Sequence, residues 1–249
     1  MMLQSTTINP WKNMAYFKMG HGHKCLILGR QERLANNPLQ AIRAAIELGA
    51  SHERICIIHA PNGPKENGFQ QIKVPNYQRP VEAEGITLTE QGSAAIIQTA
   101  DCPTVILTDE ATGKKVVTHA GRPALTPQEN CIDRTIVETA LAQLGARDIK
   151  KVQAFVLGDI CGNCFLHDHE SALPLVEPFL RLGQSVFTNV ERNGLSLFKV
   201  IEARLMHAGV PSANIAHYND CTFEHHRYSS HRRDSDRNDR NHVIVVRVR

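Results

Sequence analysis

Three short apolar runs between residues 94 and 119 constrain this chain more than any other stretch. Residues 94–98, 105–107 and 114–119 are rich in Ile and Val. Turn-forming Asp101-Cys102-Pro103 separates the first two and a polar segment at 109–113 the last two. The pattern reads as strands joined by tight connections, with a hairpin among them. Such a hairpin holds Cys102 and His119 at the same end of a sheet. A thiol and an imidazole that converge there make either a nucleophile–base pair or part of a zinc site.

Further strand patterns lie at 24–28, 54–58, 86–88, 152–157, 186–190, 215–217 and 243–248. Helical patterns are mixed with them. The first is capped by Asn36 or Asn37, has Pro38 in its first turn, lays Leu39, Ile42 and Ile46 on one face and stops at Gly49. A second spans 126–144, with Thr126 as cap, Pro127 at the first position and Gly145 as stop. Others fall at 170–182 and at 195–207, the latter with Leu197, Ile201 and Leu205 on one face. Residues 61–80 are polar and rich in Gly and Pro, a long loop of the kind that is functional or disordered. Hairpins beside crossovers predict mixed sheets in an α/β or α+β fold rather than a doubly wound parallel sheet. No linker pattern divides the chain, so residues 1–249 are expected to form one domain.

With 249 residues, 42% hydrophobic and 21% charged, the chain has the material for a sizeable core. A net charge of +3 and 5% aromatic content give no basis for a nucleic-acid partner. No run approaches the ~20 apolar residues of a bilayer span, and residues 1–19 lack the apolar core of a secretory signal. Seven scattered cysteines fit a reducing compartment, with thiols free or metal-bound. A cytoplasmic protein with no membrane partner is expected.

His59, Cys102 and His119 each follow a strand pattern. Two imidazoles and a thiolate with one position open suit a catalytic zinc ion; buried structural residues are the alternative. The same atoms also suit a cysteine hydrolase in which Cys102 attacks a carbonyl, His119 takes its proton and Asp101 orients a partner. Cys161-x-x-Cys164 invites a redox or zinc-ribbon reading, but a ribbon needs a second pair and Cys221 adds one thiol. Arg232 and Arg233, in the histidine-rich 225–234 segment, suit a phosphate, since guanidinium forks match phosphate oxygens; a solvated loop is the plain alternative.

These motifs, taken in order, resemble the laccase-domain family, proteins first called multicopper polyphenol oxidases and now regarded as purine nucleoside phosphorylases with adenosine deaminase activity. The resemblance rests on Ile57-Ile58-His59, on Val81 through Thr89, on Thr99-Ala100-Asp101-Cys102, on His119-Ala120-Gly121, on Gly158 through Phe165, on Asp220-Cys221-Thr222 and on Ser229 through Asp234. It implies a four-layer α-β-β-α sandwich of two intimately packed subdomains, an α+β fold with mixed sheets. It also implies a metal, zinc or copper in its place, on His59, Cys102 and His119. The family's His-Ala-Gly-Trp-Arg-Gly is His119-Ala120-Gly121-Arg122-Pro123-Ala124 here, and its early Thr-Arg-x-Gly-Gly is only faintly echoed at Lys18-Met19-Gly20. The ligands match while the substrate shell departs.

The expected activity is therefore zinc-dependent phosphorolysis of adenosine, inosine or methylthioadenosine, together with adenosine deamination. The expected partners are purine nucleoside and phosphate, with Arg232, Arg233 and Arg122 toward phosphate. A divergent member that binds nucleotide or a protein partner without turnover is the alternative.

Overall fold

A computed structural model describes residues 15–18, 24–29, 38–60, 72–73, 75–77, 79–127, 134–234 and 239–248. The cap expected at Asn36 or Asn37, the Lys18-Met19-Gly20 echo beyond its lysine, and most of the 61–80 loop lie outside these residues.

In chain order the strands are β1 (Ala15–Lys18), β2 (Lys24–Leu28), β3 (Ile55–His59), β4 (Ile72–Lys73), β5 (Val81–Glu82), β6 (Gly85–Leu88) and β7 (Ser93–Thr99). They continue as β8 (Thr104–Asp109), β9 (Lys115–His119), β10 (Val152–Leu157), β11 (Phe187–Asn189), β12 (Gly194–Leu195), β13 (Ile215–Tyr218) and β14 (Asn241–Arg247). The helices are α1 (Pro38–Glu47), α2 (Arg122–Leu125), α3 (Ile136–Leu144), α4 (Leu173–Val176) and α5 (Leu197–His207).

Two six-stranded sheets carry the fold, ordered β1-β2-β14-β7-β3-β5 and β13-β10-β8-β9-β6-β4. Both are mixed. In the first, β3 runs parallel to β7 and β5; in the second, β10 is parallel to β13 and β6 to β4, and the remaining pairs are antiparallel. The period-two geometry of a strand sends alternate residues to opposite faces, and here both faces are buried. Cys25, Ile27, Ala95, Ile97, Val243 and Val245 meet Ile106, Val117, Phe155 and Leu157 between the sheets. The other parity of the first sheet, Leu26, Leu28, Ile96, Ile244 and Val246, packs on α1. The other parity of the second, Val105, Leu107, Val116, Ala154 and Val156, packs on α2, α3 and α5. The layers run α-β-β-α, as the resemblance implied.

The helices correct several expectations. In α1 the buried face is Ala41, Ala44 and Ala45, with Ile42 partly buried against the same core as expected, whereas Leu39 is 71% and Ile46 40% exposed. Three alanines let the helix approach the sheet closely, and that contact outweighs the burial of Leu39 and Ile46. The helix expected over 126–144 begins at Ile136 instead. Thr135 accepts a hydrogen bond from the Val137 N–H while Glu138 accepts from the Thr135 N–H, a reciprocal cap. Thr126 ends α2, and Gly145 stops α3 in the left-handed region as expected. The helix expected over 170–182 is a string of short turns around α4, because Pro174 and Pro178 lack the N–H a continuous helix needs. α5 keeps Leu197, Ile201 and Leu205 buried, as the spacing predicted.

One buried residue works against the core. Lys115 shares the face of Val117 and is fully buried, its Nζ donating to Thr108 Oγ1 at 2.6 Å. Burial pushes its pKa down to about 7, helped by Arg247 and opposed by Cys25. Between that value and the ordinary lysine value the unfolded chain holds a proton the folded chain has lost, so stability rises with pH across this window. Below it the cost of burying the charge is fully present. Lys115→Met is expected to stabilise the protein by about 1–3 kcal/mol near pH 6, with the gain shrinking toward pH 9. Urea unfolding at both pH values measures this; a pH-independent difference would show that the lysine stays charged in the fold.

Candidate active site

The connection after β7 does not turn back beside it. Ala100–Pro103 carries the chain from the first sheet into β8 of the second, and β9 then returns antiparallel, with Thr104 opposite His119. The Ala120 N–H donates to Pro103 O at 2.8 Å and closes this corner. Cys102 and His119 thus share one end of the second sheet, as the hairpin reading required.

The imidazole is held from both sides. It hydrogen-bonds the Cys102 sulfur, and its Nδ1 lies 2.8 Å from Glu84 Oε2. Burial alone would lower the His119 pKa; charge and hydrogen bonding from Cys102 and Glu84 outweigh it and raise it to about 10. Glu84 reaches this position because Gly85 lets β6 come against β9: a Cβ there would sit 2.5 Å from Val117 O. Gly121 has a parallel role. A Cβ on it would lie 2.9 Å from His119 Cε1 and 3.2 Å from Cys102 Sγ.

Asp101 organises the second wall. It is buried and adopts φ 76°, uncommon for a residue with a side chain. Its carboxylate accepts from Thr222 Oγ1 at 2.6 Å, Ser230 Oγ at 3.0 Å and the Arg232 N–H at 2.7 Å. Its carbonyl accepts from the Ile160 N–H at 3.0 Å. Asp101 therefore pins the 220–234 loop through its carboxylate and the 158–165 loop through its carbonyl, both beside Cys102. Its oxygens are taken up in this role.

A cavity of about 370 Å³ opens between these walls, lined by Asp101, Cys102, Arg122, Phe165, Leu197 and Arg232 among others. The Arg232 guanidinium lies over the Phe165 ring, 5.0 Å from its centroid. Arg122 Nη1 is 3.1 Å from His167 Nε2, and His167 Nδ1 is 3.1 Å from Phe165 O. Burial, then Arg122 and Arg232, lower the His167 pKa, which keeps the ring neutral: Nδ1 donates to the carbonyl and Nε2 accepts from the arginine. Burial and the neighbouring Arg232 charge also lower the pKa of Arg122. Two cations close enough to oppose each other make a floor suited to an anion.

Of the residues singled out in the sequence, Asp101, Cys102, Arg122 and Arg232 line this cavity, with His119 against Cys102. Arg233 faces elsewhere: it donates to Thr222 O, Phe223 O and Tyr228 O and pairs with Asp234. His59 is exposed at the end of β3, in the other sheet. The two histidines are joined through a short bridge, since the Ala83 N–H donates to His59 O at 3.3 Å and the His119 N–H to Glu84 O at 2.7 Å. The sequence assigns no individual role to Glu84 or Phe165, and it offers His167 only as part of a His167-Asp168-His169 metal-binding run or an exposed pair, whereas the ring is buried against Arg122. Glu84 was visible as one residue of the Val81–Thr89 stretch that carries the resemblance, with nothing to tie it to His119.

Residues 13–247 match the family described as multi-copper polyphenol oxidoreductase laccase. The chain belongs to this family. It is similar, at 30% identity over 49% of its length, to a purine nucleoside phosphorylase of Streptomyces coelicolor, and at 30% over 66% to an adenosine deaminase from an unknown prokaryotic organism. The matches span 48% and 63% of those relatives' lengths. Among solved structures, YlmD of Geobacillus stearothermophilus aligns over 99% of both chains with a TM-score of 0.69 at 16% identity. YfiH of Bacillus licheniformis aligns over 94% of this chain and 96% of its own, with a TM-score of 0.68 at 16% identity. These likenesses establish that this laccase-family member shares their fold. No helix among the described residues is long and apolar enough to cross a membrane.

Proposed function

We propose that this laccase-family chain is a purine nucleoside phosphorylase, with adenosine deamination as a second activity. The observation that carries the reading is the cavity that sets the Arg122–Arg232 pair beside the Cys102–His119–Glu84 array. The names of its two relatives support it. In phosphorolysis the bond between the ribosyl carbon and the base nitrogen breaks, a phosphate oxygen bonds the carbon, and the base leaves with the electron pair. Arg122 and Arg232 hold phosphate and spread its charge. Phe165 and Leu197 supply an apolar wall for the nucleoside.

The residues present fit a zinc ion in part. Cys102 and His119 converge, and Glu84 on Nδ1 orients the ring with Nε2 toward the sulfur, as a carboxylate behind a metal-bound histidine does. His59 is the proposed third ligand. When bound, zinc supplies Lewis-acid polarisation of the base or a water of lowered pKa for deamination. Without it, the same array is the Cys–His–acid set of a cysteine hydrolase, a second reading that the hydrogen bonds of His119 to both neighbours favour.

Incubation with adenosine, inosine and methylthioadenosine, with and without phosphate, tests the proposal. Free base and ribose 1-phosphate should appear only with phosphate, and absence of both products from all three substrates would remove it. Arg232→Ala is expected to raise the KM for phosphate by at least about tenfold, the loss of one charge-assisted contact. Labelling of Cys102 by a thiol reagent in metal-replete protein would favour the hydrolase.

A further inference from the structure

Behind the cavity wall lies a cluster that the proposed chemistry does not use. One ligand atom each from Cys161, Cys164, Cys221 and Glu224 falls within 4.8 Å of every other. We propose that these four residues form a second metal site, a closed and structural one that takes zinc or a similar thiophilic divalent ion.

The geometry matches that of a bound ion in two respects. A tetrahedral zinc with Zn–S of about 2.3 Å and Zn–O of about 2.0–2.2 Å requires S···O edges of about 3.5 Å. Glu224 Oε1 lies 3.7 Å from Cys161 Sγ and 3.4 Å from Cys164 Sγ. The Cys161 backbone N–H donates to Cys221 Sγ at 3.2 Å, a hydrogen bond that stabilises a thiolate and orients a ligand from behind. The first pair sits on a tight turn, with the Cys164 and Phe165 N–H groups both donating to Cys161 O, so the turn sends both thiols to one side.

Ligand identity selects the ion. Three thiolates and one carboxylate leave no open position, which is the pattern of a structural rather than a catalytic site, and soft sulfur disfavours magnesium and calcium. Arg233, donating to the carbonyls of Thr222 and Phe223 between the second pair of ligands, offsets part of the cluster's negative charge. The pairs also share a spacing, Cys161-x-x-Cys164 and Cys221-x-x-Glu224. A search for two cysteine pairs passes over the second because its last member is a carboxylate.

The ion's place explains its use. Cys161 follows Ile160 and Cys164 precedes Phe165, both of which line the cavity, while Cys221 precedes Thr222, which bonds Asp101. Bound metal would tie the two loops together at the point where they form the pocket wall. The site stands on these four residues whatever the cavity binds.

The test is metal content by elemental analysis together with cobalt(II) substitution of the full chain. Cobalt in this site should give tetrahedral visible bands and thiolate-to-cobalt charge transfer. The multi-thiolate part of both signals, and one equivalent of zinc, should vanish in Cys161→Ser/Cys164→Ser and persist in Cys102→Ser, whereas an ion held by Cys102 in the cavity would be lost only from the latter. Because the double variant removes two half-buried side chains, Glu224→Gln serves as the milder probe. It changes one exposed residue and is expected to weaken cobalt affinity at least about tenfold, since even partners behind a ligand are worth 10–100-fold. Unchanged cobalt spectra in both variants would overturn the proposal. So would recovery of Cys161 and Cys164 as a disulfide in a protein that, once reduced, takes up no cobalt. Loss of metal from Cys102→Ser with none lost from the double variant would overturn it as well and place the ion in the cavity instead.

Discussion

Replacing Asp101 by alanine is expected to lower unfolding free energy by about 3–5 kcal/mol and to abolish turnover. Three donors converge on this buried carboxylate, two hydroxyls and one backbone N–H. Hydrogen bonds to a charged group are worth about 1.5–3 kcal/mol each, and their removal strands buried donors without water. The sum is not additive, because Thr222 and Ser230 can relax once released, which places the expected loss below the arithmetic total. Asp101→Asn separates shape from charge. Asparagine tolerates the positive φ but presents an amide donor to one of the three donors, so its stability should fall between parent and alanine variant. Urea midpoints for the three proteins, read with a nucleoside assay, measure this. An alanine variant with the parent's midpoint would show that the 220–234 loop is anchored by something other than Asp101.

Gly121→Ala should do the reverse, sparing the fold and stopping the chemistry. Gly121 has φ −64° and ψ 161°, a conformation any residue adopts, so the backbone imposes no penalty. The added methyl lies 2.9 Å from His119 Cε1 and 3.2 Å from Cys102 Sγ, and the two side chains must separate to admit it. Overpacking of this kind costs about 1–3 kcal/mol, whereas a displacement approaching 1 Å at reacting groups costs on the order of a hundredfold in rate. Turnover and thermal unfolding should be measured on the same preparation. Full activity in the alanine variant would mean that contact between Cys102 and His119 is not needed for the reaction.

The sheets were legible because their central strands are buried on both faces and appear as apolar runs, such as 94–97 and 243–246. The meeting of Cys102 with His119 was legible for the same reason, since each ends such a run. What stayed hidden depends on contacts between distant segments. Glu84 acquires its role from a histidine 35 residues away, and Glu224 from thiols 60 and 63 residues away. Neither is marked out by residue type alone. Arg232 and Arg233 are neighbours of one charge with different surroundings, decided by which backbone N–H Asp101 captures. The face of α1 was misjudged because periodicity weighs large residues, while sheet packing there rewards small ones.

The place of β14 has a consequence for biosynthesis. Residues 241–247 fill the middle of the first sheet, between β2 and β7, whose own residues leave the ribosome far earlier. Until Arg247 has emerged, β2 and β7 each present an unpaired edge, the template on which strands of other chains associate. That sheet can therefore close only after β14 has emerged, and truncation within β14 should yield aggregated chains in place of a smaller folded protein.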